Sequence, residues 1–290
     1  SSISASMGDL PTTRTHLEND GRVVWDINDQ IGIISDTQEV PTLFTCTSVD
    51  DGKALFNSDK EVSGKSYLAY YPYDGSEVEG NTMTYTLSGN TKYMPNTYFR
   101  QCPMIAKSAT NDFAFKHTCG IIRFSIRGTQ QISSLVLQGN NNEIIAGTGS
   151  IDLNTEIPTL SISSNAEDAS KSITMNTDYL CLSDIPTDFY FIVPETEFTQ
   201  GLSLTINYLN DDSSVTPIKK ATTKSVTISR SVIKSFNAID TDALLQEQEE
   251  ERIYAALMSF YNATGGNNWT NNENWGSDKP FSEWYGVNYD

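Results

Sequence analysis

His117 and Cys119 lie two residues apart, a spacing that puts both side chains on one face of an extended strand. An imidazole beside a thiol is the beginning of a metal site or an activated nucleophile. The second histidine, His16, is far away in sequence, so a metal would have to recruit distant carboxylates; strand packing is the preferred reading of the pair. Asp50-Asp51 and Asp211-Asp212 are paired acids of the kind that hold calcium. The DxDxDG spacing of a calcium loop is missing, and exposed turn acids explain them better. The four cysteines, Cys46, Cys102, Cys119 and Cys181, form no CxxC and match no zinc spacing. They read as buried small hydrophobes, with one bridge left open. Trp269, Trp275 and Trp284 are three of the chain's four tryptophans, and an aromatic surface of this kind stacks on sugars. GxSxG, HExxH and phosphate-cradling glycine loops are absent from the sequence, while glycosidase carboxylates have no recognisable spacing. No catalytic, cofactor-binding or metal-binding residue is assigned, no cofactor is expected, and the chain reads as a non-enzyme.

The elements that position these residues follow from composition and pattern. At 290 residues the chain suits two or three domains. It is 38% hydrophobic and 19% charged, enough for real cores and too little charge for disorder. Its formal net charge of -18 repels nucleic acid and anionic membranes. No run approaches the ~18–20 apolar residues of a membrane helix. No signal peptide is visible, and a start at Ser-Ser-Ile reads as a processed or truncated form.

Residues 1–20 read as polar and irregular. Short β-prone runs follow at Arg22–Trp25, Ile31–Ile34, Leu43–Val49 and Tyr67–Tyr71, punctuated by Asp-Gly turns. The polar stretch Lys107–Asp112 reads as a domain boundary. A second series of strands begins at Phe113–His117 and includes Ile121–Ile126, Ser134–Leu137, Phe189–Val193, Leu202–Tyr208 and Ser225–Ile228. In Leu202–Tyr208, apolar and polar residues alternate, as in a strand with one wet face. Near residue 240 the pattern changes. Asp242 is the expected cap of a helix running to Asn262, ended by Thr264-Gly265-Gly266.

Four segments resemble the fimbrillin family of Bacteroides-type bacteria, the Mfa-like major and minor fimbrial-subunit proteins. They are Thr13-Arg14-Thr15 with Gly21–Asp26 and Asp29–Ile33, then Tyr67–Tyr73, then Phe113–His117 with Ile121–Ile126, and finally Phe191–Pro194. The resemblance implies a mainly β fold of two tandem transthyretin-like antiparallel β-sandwiches, at 1–111 and 112–240. It also implies a lipoprotein of the outer membrane or fimbrium, touching the membrane only through a lipid anchor absent from this chain. In fimbrillins that polymerise, removal of an N-terminal strand opens a groove that another subunit's strand fills. Arg14 is therefore the candidate for proteolytic maturation; the plainer reading is that it leads into the first strand. Expected partners are other fimbrial subunits, host or extracellular proteins, or glycans.

Leu257–Trp269, Asn274-Trp275 and Glu283–Val287 resemble the N-terminal cap that precedes leucine-rich repeats in secreted proteins. Residues 241–290 are accordingly expected to form an acidic linker helix and a short α-containing cap segment, with repeats following in the natural protein. Under this resemblance the three tryptophans plug the cap's small core. A helix and cap after the last strand favour an anchor, tip or stand-alone surface protein over a stalk subunit. The alternative is a surface glycan- or protein-binding module whose recognition comes from downstream repeats.

Overall fold

The computed structural model describes residues 1–8, 16–17, 23–95 and 102–288, with the backbone alone at 16–17 and 23–24. The fold is mainly β. The chain forms two compact units, Ser1–Ile239 and Asp240–Asp290.

The first unit contains a closed seven-stranded barrel. Its circuit runs Ser2–Met7, Asp112–His117, Met104–Ser108, Tyr67–Tyr71, Gln30–Ser35, Gln38–Asp50, Lys53–Asn57 and back to Ser2–Met7. Closure removes the free edges that an open sheet presents. Turn chemistry sets several of its connections. Asp51 and Gly52 have φ of 43° and 79° between the paired residues Asp50 and Lys53, the positive-φ pair of a tight hairpin. Inside the barrel, Trp25 meets Phe56, Tyr71 and Phe115 edge-on at centroid distances of 5.1, 5.4 and 5.0 Å. Ile3, Ala5, Ile31, Ile33, Phe44 and Phe113 belong to the same core.

The remaining sheets of this unit draw strands from both halves of the sequence. Thr82–Leu87 pairs with Gly147–Asp152, and Asn90–Lys92 runs parallel to Ser172–Cys181. Cys119–Arg127 pairs antiparallel with Thr187–Pro194 over eight residues. A second core joins Tyr70 and Ile105 of the barrel strands to Met83, Tyr85, Leu87 and Ile151 of the neighbouring sheet.

This pairing corrects the boundary expected between 111 and 112. Lys107–Asp112 is a hairpin turn, not a linker: Met104 lies opposite His117 and Ile105 opposite Lys116. The Ser108 hydroxyl accepts from Thr110 N–H at 3.0 Å and donates to Asp112 O at 2.7 Å. Ser, Thr, Asn and Asp favour turns and linkers alike, so composition alone does not separate the two.

The second unit opens with the helix Thr241–Ala263. Its cap is Asp240, whose carboxylate accepts from Ala243 N–H at 3.1 Å, while Asp242 sits in the first turn. The helix ends in a left-handed residue, Gly265, at φ 71°. A β-carbon at the next position, Gly266, would lie 2.1 Å from the Tyr261 ring, so glycine alone fits there.

Candidate functional site

The strand Ser2–Met7 completes the barrel from a part of the sequence that reads as irregular. On one side it runs parallel to Asp112–His117, with Ser4 opposite Asp112, Ala5 opposite Phe113 and Met7 opposite Phe115. On the other it runs antiparallel to Lys53–Asn57, with Ile3 opposite Phe56 and Ala5 opposite Ala54. Ile3 and Ala5 are buried, at 6% and 0% exposure. Ser2, Ser4 and Ser6 alternate with them. The Ser2 and Ser4 hydroxyls bond to the side chains of Asn57 and Asp112. The terminal ammonium of Ser1 donates to Ser58 O at 2.9 Å, and Gly8 N–H donates to Phe115 O at 2.7 Å.

Every ladder bond of this segment is made to strands distant in sequence, and its nearest covalent tie lies beyond Gly8. Arg14 lies outside the described residues. Ser2–Met7 is nonetheless on its N-terminal side, so a cut after Arg14 severs the strand's connection to the rest of the barrel. Loss of the strand would leave two unpaired edges, at Asp112–His117 and Lys53–Asn57. It would also uncover Phe56, Phe113 and Phe115, each now 0–1% exposed.

The tail tryptophans are brought together. Trp269 meets Trp275 edge-on at 5.0 Å, Trp275 stacks on Tyr261 at 5.5 Å, and Trp284 lies 5.3 Å from Trp275. Their ring N–H groups donate to Thr264 O, Tyr285 O and Lys279 O at 3.3, 2.8 and 3.0 Å. Trp284 is a correction to the expected aromatic surface. At 1% exposure it is an interior side chain, because a unit this short has few other large apolar residues to fill its core. Trp269 and Trp275 are half-buried.

The other chemistry-bearing residues are dispersed. His117 and Cys119 are both buried and fall on successive strands, separated by Thr118. The His117 carbonyl accepts from the Arg230 guanidinium at 3.0 Å. Asp212 accepts from the Ser214 hydroxyl and N–H, which holds its carboxyl below the ordinary value. Among the described residues no three His, Cys, Asp or Glu side chains converge as metal ligands. No helix of the described residues is long and apolar enough to cross a membrane.

No protein-family model and no curated protein matches the chain. Solved structures do. One, a "putative cell adhesion protein" from Bacteroides ovatus, is 14% identical with a TM-score of 0.54, over 82% of this chain and 94% of that one. A second protein of the same description, from Bacteroides uniformis, is 15% identical with a TM-score of 0.52, over 81% and 93%. The chain shares their fold.

Within that fold the N-terminal strand is the feature that sequence reading missed. Its signal was present in Ser2-Ile3-Ser4-Ala5-Ser6-Met7, where apolar and polar residues alternate with period two. Two of the three inward residues are Ala and Met, which are weaker strand markers than Val or Ile.

Proposed function

We propose that the chain is a non-catalytic, adhesion-type protein of the bacterial cell surface that joins its partners by strand addition at the barrel seam. The observation that carries this reading is the position of Ser2–Met7: a barrel strand that lies upstream of Arg14 and is held by non-local pairs alone. Processing at Arg14 releases it. An incoming strand with small or aliphatic residues at alternate positions then restores both ladders and covers Phe56, Phe113 and Phe115. Main-chain bonds supply affinity in such a joint, and the narrow seat of Ala5, with a fully buried side chain, supplies selectivity.

On this reading the protein is fimbrium-associated or lipid-anchored at the outer membrane. Its partners are other fimbrial subunits or extracellular proteins and glycans. The tandem transthyretin-like plan is then one whose two lobes exchange strands. Residues 241–290 serve as the cap of a leucine-rich-repeat segment.

Limited trypsin digestion tests the proposal. Cleavage at Arg14, removal of the released fragment in mild denaturant and refolding should give oligomer ladders on a gel. A synthetic peptide of residues 1–8 should suppress them, and Arg14→Ala should prevent them. A cleaved, refolded chain that stays monomeric without the peptide overturns the reading.

A further inference from the structure

Cys102 and Cys119 lie just beyond the last ladder pair of the hairpin Met104–His117, both buried in one core cluster. The antiparallel register places Ile105 opposite Lys116 and Met104 opposite His117. One step further outward pairs Pro103 with Thr118, and Thr118 N–H donates to Pro103 O at 3.1 Å in that position. The Thr118 hydroxyl reinforces it at 2.9 Å. Continuing that register by one step, past the bend at Thr118 to the first residue of the next strand, would set Cys102 opposite Cys119. Antiparallel ladders alternate hydrogen-bonded and non-hydrogen-bonded pairs, so after a bonded Pro103–Thr118 step the position that Cys102 and Cys119 would occupy is a non-hydrogen-bonded one. At such pairs the α-carbons stand about 4.5 Å apart and the side chains are closest. That separation falls within the range of about 4.4–6.8 Å that a disulfide spans.

The side chains bear this out. Both are free thiols in this structure, and the Cys119 thiol is the leading influence that raises the Cys102 pKa. Both are 0–1% exposed and lie in one core cluster with Tyr85, Leu87 and Ile105. Cys46 belongs to the barrel interior and Cys181 is exposed, so neither competes for this partner.

We infer that Cys102 and Cys119 are a cross-strand disulfide site, closed during folding in an oxidising compartment and covered when the core forms. The chemistry is thiol–disulfide exchange. One cysteine thiolate attacks a disulfide supplied by an oxidant such as oxidised glutathione or a dithiol–disulfide oxidoreductase, forming a mixed disulfide and releasing the first thiol. The second cysteine thiolate then displaces the remaining oxidant thiol. Both cysteine protons leave with these steps, and one oxidant disulfide is reduced to two thiols. In the folded protein, the neighbouring Cys119 thiol and burial hold the Cys102 thiol well above its ordinary pKa, so exchange belongs to the folding stage.

The full chain, refolded from denaturant in a glutathione redox buffer, provides the test. After refolding and denaturation, alkylation should count two thiols, against four for protein refolded under excess reductant. Trypsin cleaves at Arg100, Lys107, Lys116 and Arg123, putting the two cysteines on separate peptides, 101–107 and 117–123. These should appear joined, and should separate on reduction. Cys181→Ser should keep the joined peptide. The oxidised form should unfold at higher urea than the reduced form. Four free thiols in protein refolded to its native circular dichroism, or a bridge to Cys46 or Cys181, would overturn the inference. Because the assay reads covalent linkage, its result is independent of strand addition at the seam.

Discussion

At Trp284 the ring is 1% exposed, its N–H is bonded to Lys279 O, and its faces meet Trp275, Tyr254 and Phe281. The residue is thus committed to the interior of its unit. A buried tryptophan replaced by alanine leaves a cavity as well as losing transfer energy, about 3–5 kcal/mol in all. A unit of about 50 residues rarely has that much stability to spare. Trp284→Ala is therefore expected to melt the tail, abolishing the helical circular dichroism signal of Thr241–Ala263 while the β signal of the first unit persists. Retention of the helical signal would show that the ring is dispensable. The composition of the tail made its tryptophans conspicuous, and both a sugar platform and a core plug fit it. Burial and bonded N–H groups decide for Trp284, and neither can be read from residue spacing.

Helix and strand boundaries were more legible than the partners those elements choose. Alternation and Asp-Gly turns locate Gln30–Ser35, Tyr67–Tyr71 and Leu202–Leu209 well. The parallel match of Ser2–Met7 with Asp112–His117 joins segments about a hundred residues apart, and no local pattern encodes such a pairing. The same limit placed a boundary at 111–112, where a polar turn joins two strands of one barrel. At the tail helix the local rule chose the right residue type and missed its position by two. Asp242 has the cap chemistry, yet Asp240 has the extended φ,ψ of -99°, 109° and the bond to Ala243 N–H. Substituting a bonded cap by alanine costs about 1 kcal/mol. Asp240→Ala removes the cap bond to Ala243 N–H and should lower the urea midpoint of the helical signal more than Asp242→Ala, which removes a favourable charge from the first turn. Equal losses from the two substitutions would move the cap back to Asp242.

On the scale of the whole molecule, the two units differ in what holds them. The first has a closed barrel core and a second cluster joining the barrel strands to the neighbouring sheet. The second rests on one aromatic cluster beneath a helix whose first half is acidic, from Glu247 to Glu251. Small units bury a lower fraction of their surface and are correspondingly marginal. Like charges at helical spacing subtract further, and only Glu249 among these acids pairs with Arg252. The tryptophans make the two units separately visible: Trp25 reports on the barrel, while Trp269, Trp275 and Trp284 report on the tail. In a urea titration, tryptophan fluorescence should therefore change in two steps. The larger, tail-derived step should come first, and the smaller should coincide with loss of the β circular dichroism signal. Adding salt should narrow the gap, because screening relieves the acidic helix more than the barrel; the Debye length falls from about 30 Å at 0.01 M to about 8 Å at 0.15 M. Removing Trp25 by Trp25→Phe should delete only the second fluorescence step. A single transition at every salt concentration, with fluorescence and circular dichroism superimposed, would mean that the two units unfold as one cooperative body.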